Sequence, residues 1–220
     1  MDPDVGPQGA GLGGTIEQWY QRGKLVGGIG SDSLEDLLRN ASNYIAVIKA
    51  LSDASNLSVL DLGSGVGIPG LLIAWQSDDL RVTLLDAMTR RITVARDYIA
   101  RLGLDSRASV IHGRSEDYAT QLTEKYDFVV ARCFGPPALV AEMAISFLKP
   151  KGALIVSDSP KTSSRSRRWP TRQIRALGYQ SPTFHDLDQH FVVLARSGQP
   201  LRRLRSYQTM IKMPLWRVSN

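Results

Sequence analysis

Val59-Leu60-Asp61-Leu62-Gly63-Ser64-Gly65-Val66-Gly67-Ile68-Pro69-Gly70 is the stretch around which this 220-residue chain is organised. Leu57 to Leu62 is a short apolar run with polar breaks on both sides, which reads as a buried strand. Glycines follow at 63, 65 and 67, and Ile68 to Trp75 has helical composition with Pro69 at a first-turn position. Strand, glycine turn and helix start make a nucleotide site in an α/β sheet. Glycine permits positive φ and lets a ligand come close to the backbone, and the free N–H groups of the helix start face that ligand.

Outward from this turn, strands and helices alternate. Expected strands are Arg81–Asp86, Ala108–His112, Asp127–Arg132 and Ala153–Ser157, with helices from about Pro69, over Thr89–Leu102, near Glu116–Leu122 and over Ala138–Leu148. Alternation of this kind predicts a parallel sheet covered on both faces. Upstream, Ser31-Asp32-Ser33-Leu34-Glu35 reads as a capped helix start. Leu34, Leu37, Leu38, Ala41, Tyr44, Ile45 and Ile48 then recur at helical spacing, so a helix over 31–51 lays an apolar stripe on the core. Downstream, Arg165–Leu177 is expected as one helix, Gln180–Phe184 and Phe191–Arg196 as an antiparallel hairpin, and 197–220 as a basic tail with a possible last strand. Residues 1–30 are expected to be a flexible segment. Its first 14 residues are rich in Gly, Pro and Asp, Thr15–Arg22 is a short helix at most, and Gly23–Gly30 is too glycine-rich for regular structure.

The net charge of +6 is unevenly spread. Twelve of the 27 Lys and Arg but only two of the 21 acids lie beyond residue 158, giving +10 there and −4 before it. A basic C-terminal face on a mildly acidic body favours polyanions such as RNA, with a solvated surface as the plain alternative. The basic segments 161–175 and 202–217 carry Trp169 and Tyr207, aromatics suited to stacking on bases. Cys133 is the single cysteine, so no intrachain disulfide forms. No signal-peptide pattern and no run of about 20 apolar residues is present, so a cytoplasmic protein is expected. His112, His185 and His190 lack metal-ligand spacing, and no metal is expected.

Two readings of the turn stand side by side. Gly65-x-Gly67-x-x-Gly70 with Asp86 downstream satisfies the dinucleotide fingerprint of an NAD(P) oxidoreductase. Asp61-x-Gly63-x-Gly65-x-Gly67 resembles motif I of class I S-adenosylmethionine-dependent methyltransferases, in which Asp61 would lie near the ammonium of the methionine tail and Gly63, Gly65 and Gly67 would form the cofactor turn. Ligands of open α/β sheets sit outside the carboxyl ends of the strands. Asp86 ends the second strand and can accept from ribose hydroxyls, or cap the following helix. Ser115 and Glu116 follow the third strand and can hold adenine, or serve as a helix cap. Arg132 ends the fourth strand, where it can clamp a methionine carboxylate, contact guanine O6, or serve structurally. Cys133 reads as a buried small thiol.

Together these pieces resemble the bacterial small-subunit ribosomal RNA guanine-N7 methyltransferases, the RsmG family. Asp61 to Leu71, Leu84-Leu85-Asp86 with Arg90-Arg91, Arg114-Ser115-Glu116 and Ala131-Arg132-Cys133-Phe134 carry the resemblance, over roughly residues 57–157. It implies a Rossmann-like class I methyltransferase domain over 31–196 with its core at 57–196 and a C-terminal antiparallel hairpin. It also implies S-adenosylmethionine as cofactor, with Gly63, Ile68, Ser115, Glu116 and Arg132 as contacts, and ribosomal RNA as partner. The chain departs from the family's usual text at Lys24-Leu25-Val26 and at Leu38-Arg39-Asn40-Ala41-Ser42. A methyltransferase for a small molecule or a protein is the alternative these departures leave open.

Overall fold

The computed structural model describes residues 12–158, 165–198 and 204–218. Its strands are β1 (Leu57–Leu62), β2 (Leu80–Asp86), β3 (Ala108–His112), β4 (Tyr126–Ala131), β5 (Leu148–Asp158), β6 (Thr183–Asp186) and β7 (His190–Ala195). They form one sheet in the order β3-β2-β1-β4-β5-β7-β6. β1 to β5 are parallel, while β7 runs antiparallel to both β5 and β6. The helices are α1 (Leu12–Leu25), α2 (Leu34–Leu51), α3 (Gly70–Gln76), α4 (Thr89–Arg101), α5 (Ser115–Tyr118), α6 (Pro137–Ala144), α7 (Arg165–Arg168), α8 (Thr171–Leu177) and α9 (Tyr207–Lys212).

Both faces of the sheet are covered, and alternate strand residues show it. Val59, Val82, Leu84, Val130 and Ile155 point to one apolar layer with α1 to α4. Leu60, Leu62, Leu85, Val129 and Leu154 point to the other, which is shared with α6, α8 and α9. This two-residue period on a sheet buried twice over explains why the strands read as continuous apolar runs. α2 begins as the sequence predicts: Ser33 caps it, and Asp36 returns a bond to the Ser33 backbone in a reciprocal capping box.

The structure differs from the sequence expectations at both ends of the chain. Over residues 12–30, the part of the expected flexible segment that is described, α1 is a 14-residue helix containing Gly13, Gly14 and Gly23. Trp19 is fully buried, and its indole Nε1–H donates to Val66 O at 2.9 Å. Tertiary burial here outweighs the low helix propensity of glycine. At the other end, α9 stands where a last strand or a free tail was expected, with Met210 and Trp216 buried. The expected single helix over 165–177 is two short ones split at Trp169-Pro170, because Pro170 lacks an N–H and disfavours helical φ/ψ at Trp169. α6 stops at Ala144, four residues early, and β5 starts at Leu148 instead of Ala153. The expectations for residues 1–11, 159–164, 199–203 and 219–220 lie outside the described residues.

Candidate cofactor cleft

The carboxyl ends of the parallel strands carry the site. After Leu62 the chain turns back on β2: the Gly63 and Ser64 N–H groups both donate to Leu85 O, at 2.8 and 3.1 Å. Gly63 takes φ +77°, and a Cβ there would sit 2.5 Å from the Phe134 ring. Glycine is therefore required twice over at this position, by conformation and by close approach. Asp86, the last residue of β2, accepts from Gly65 N–H on Oδ2 at 2.9 Å and from Met88 N–H on Oδ1 at 2.7 Å. Asp86 thus holds the N–H of Met88, the N-cap of α4, and also lines the cleft. Two bonds leave lone pairs on each oxygen for further donors.

A cleft of about 330 Å³ opens between these ends. Gly63, Asp86, Met88, Ser115, Glu116, Cys133, Phe134 and Tyr207 are among its lining residues. The size falls within the roughly 300–1,000 Å³ usual for small-ligand sites. Ser115 is buried and donates from Oγ to Glu116 Oε2 at 3.3 Å, while Glu116 lies 3.9 Å from the Arg114 guanidinium.

Four of the sequence-predicted residues, Gly63, Asp86, Ser115 and Glu116, meet in this one cleft. Gly65, Gly67 and Ile68 form the body of the turn behind it. Gly65 donates to Asp86, Gly67 takes φ +105° with its N–H on Ser64 O, and Ile68 is buried with its N–H on the same oxygen. Arg132 turns elsewhere: it pairs with Asp32 Oδ2 at 3.1 Å and lines a second cleft on the far side of β4. Asp61 does not line the cofactor cleft as an acid near a ligand ammonium would. It lies fully buried beneath the turn and accepts the Gly70 N–H at 2.7 Å, so close that a Cβ on Gly70 would lie 2.6 Å from Asp61 Oδ2. Cys133 is exposed in the cleft rather than buried, with φ +57°.

The cleft is also lined by residues that the sequence does not mark as cofactor neighbours, among them Met88, Phe134 and Tyr207. The first two follow motif strands, so position alone points to them. Tyr207 arrives on α9. That helix is seated by Arg205, which forks onto the buried Glu142 of α6 at 2.6 and 2.5 Å, by Met210, and by Trp216 Nε1–H donating to Arg168 O at 2.9 Å. No local pattern signals such an approach.

The antiparallel β7 beside β5 settles which of the two turn readings fits the sheet. In the dinucleotide fold the strand order is 3-2-1-4-5-6, with β6 directly beside β5; here β7 lies between them. Sheet order, glycine turn and acid-ended β2 together define a class I S-adenosylmethionine-dependent methyltransferase. Solved structures agree at the level of fold. An O-methyltransferase from Bacillus cereus in complex with SAH superposes with TM-score 0.58 at 18% identity, covering 83% of this chain and 90% of that one. A putative caffeoyl-CoA O-methyltransferase from Staphylococcus aureus gives TM-score 0.58 at 18% identity over 82% and 91%.

The family model described as GidB, rRNA small subunit methyltransferase G, matches residues 15–175, and the chain belongs to that family. Among curated relatives, the Ribosomal RNA small subunit methyltransferase G of Clostridium botulinum (strain Kyoto / Type A2) is 28% identical over 192 residues, covering 86% of this chain and 79% of that protein. The protein of that name from Desulforamulus reducens is 27% identical over 173 residues, 78% and 71% of the two chains. The family's methyl donor is S-adenosylmethionine and its substrate class is ribosomal RNA. Among the described residues, no helix is long and apolar enough to cross a membrane.

Proposed function

We propose that this chain methylates N7 of a guanine in small-subunit ribosomal RNA, with S-adenosylmethionine seated in the 330 Å³ cleft. The observation that carries the cofactor assignment is the convergence of Gly63, Asp86, Ser115 and Glu116 on one cleft at the strand ends. The residues present fit the group. The glycine turn gives a bare backbone floor, Asp86 retains acceptor capacity for ribose hydroxyls, and Ser115 with Glu116 offers polar atoms to an adenine edge. Gly65, Gly67 and Ile68 hold the turn in shape, and Arg132 serves the acceptor side.

When bound, S-adenosylmethionine supplies a methyl group on a positively charged sulfur, which keeps the S–C bond pair as the N7 lone pair forms the new N–C bond. Guanine N7 carries no proton, so the attack needs no general base, and the lining side chains have only to hold the acceptor nitrogen in line. That suits a cleft with no assigned acid–base pair, and no catalytic residue is proposed. RNA would be held by exposed basic side chains of α8 and α9.

Calorimetry with S-adenosylhomocysteine tests the seat. Wild-type chain should bind, and Asp86→Ala should weaken binding at least tenfold, because it removes the ribose acceptor and frees the Gly65 N–H. Labelled-methyl transfer to small subunits and to naked ribosomal RNA, followed by mapping of the modified base, tests the acceptor. Label on an atom other than guanine N7 would overturn that assignment.

A further inference from the structure

The end of β4 separates two clefts. Cys133 and Phe134 line the cofactor cleft, while Arg132, the residue before them, lines a second one of about 320 Å³ with Asn40, Ser157, Gln189 and His190. The β4–β5 ladder ends at the Ala131–Val156 pair. One step further on, the Tyr44 hydroxyl donates to Ala131 O at 2.8 Å and accepts from Ser157 N–H at 2.9 Å, taking the place of a backbone bond.

Inside, Asn40 is 2% exposed. Its amide nitrogen donates to Gln189 Oε1, and its own Oδ1 is buried without a donor. A buried acceptor left unpaired is unfavourable until a ligand brings a donor to it. Once Asn40 and Gln189 are joined by one bond, they retain one amide oxygen and one amide NH₂ between them. Flipping both amides exchanges the owners and leaves the same complement, one amide oxygen and one NH₂ group with no bond.

We propose that this second cleft takes the acceptor guanine, and that the Asn40–Gln189 amide pair reads its N1–H/O6 edge. The proposal rests on the methyltransferase reading above. N1–H is a donor and O6 an acceptor, so they match the acceptor and donor that the pair leaves free. O6 lies between N1 and N7 on the purine rim. Methyl transfer then requires N7, on the far side of O6 from N1, to face the end of β4 and the cofactor cleft, with Arg132, which lines the second cleft and pairs with Asp32, on the O6 side. A 2-aminopurine in the same RNA keeps N7 but has neither N1–H nor O6, whereas inosine keeps all three.

The test uses the full chain and RNA fragments carrying guanine, inosine or 2-aminopurine at the mapped target position. Wild type should methylate guanine and inosine at rates within a few-fold of each other and 2-aminopurine at least a hundredfold more slowly. Asn40→Leu and Gln189→Leu should each lower kcat/KM on guanine at least tenfold and shrink the discrimination against 2-aminopurine to a few-fold. Binding of S-adenosylhomocysteine should stay within twofold, which separates base reading from a general loss of structure. Gln189 is part-exposed, so its variant should fold even where the Asn40 change perturbs α2. Variants that bind S-adenosylhomocysteine and keep both rate and discrimination overturn the proposal alone. A wild-type chain that binds no S-adenosylhomocysteine overturns the methyltransferase reading beneath it.

Discussion

Asp61 has no solvent exposure, one oxygen on the Gly70 N–H and the other without a partner. Burial raises its pKa from 3.8 to about 7; the Gly70 bond opposes the rise, the Asp86 charge adds to it and Arg132 opposes it. The folded chain therefore keeps a proton that the unfolded chain loses near pH 4. Stability from this group is full below about pH 4 and falls as pH rises toward 7, by roughly 4 kcal/mol at most. Asp61→Asn keeps the acceptor for Gly70 and cannot ionise. Urea unfolding of both chains at pH 4.5, 6 and 7.5 should show the variant gaining on wild type as pH rises, and parallel curves would refute the buried, protonated acid. The lining of the cleft was legible where side chains follow strands in sequence: Asp86, Ser115 and Glu116 stand at or just beyond strand ends, and all three line it. The directions of Asp61 and Arg132 were not legible, because adjacent strand residues face opposite layers and a motif does not say which layer holds the ligand.

At the scale of elements, the central parallel strands β1, β2 and β4 were readable because they are apolar runs on a sheet buried on both faces, and the edge strand β3 by its place in the strand–helix alternation. α1 and α9 were not, since one is glycine-rich, the other basic, and both are ordered by what they pack on. Trp19 makes the point for α1. Its indole fills the layer over the glycine turn and holds Val66 O, and α1 then leads to Gly27, whose carbonyl accepts from Arg91 at 2.7 Å. Trp19→Ala should cost about 3–5 kcal/mol through the cavity it leaves, a drop in melting temperature on the order of 10 °C. Because Val66 lies within the cofactor turn, affinity for S-adenosylhomocysteine should fall as well. Calorimetric melting and titration of the one variant check both, and an unchanged melting temperature would mean that α1 is not part of the folded body.

Across the whole molecule, the charge asymmetry is narrower in space than in sequence. Arg196 is 3% exposed, donates to Leu148 O at 2.6 Å and pairs with Glu124 at 2.6 Å. Arg205 is taken up by Glu142, and Arg165 by Asp186 with bonds of 2.9 and 2.5 Å. These cations hold the C-terminal elements on the core, and their removal would confound folding with RNA binding. Lys161, Arg202 and Arg203 lie outside the described residues. Arg172 on α8, Lys212 on α9 and Arg217 just beyond it are exposed, and α8 and α9 both pack on α6. They are the side chains to test as a phosphate-gripping face. The triple charge reversal Arg172→Glu, Lys212→Glu, Arg217→Glu should weaken binding to naked ribosomal RNA and flatten the dependence of log K on log salt by roughly 2–3, since each lost phosphate contact removes about 0.7–0.9 of slope. S-adenosylhomocysteine affinity should stay within twofold, because none of the three lines the cofactor cleft. RNA affinity and salt slope equal to wild type would show that the polyanion is gripped on another face, and that the basic surplus beyond residue 158 serves the packing of the chain on itself.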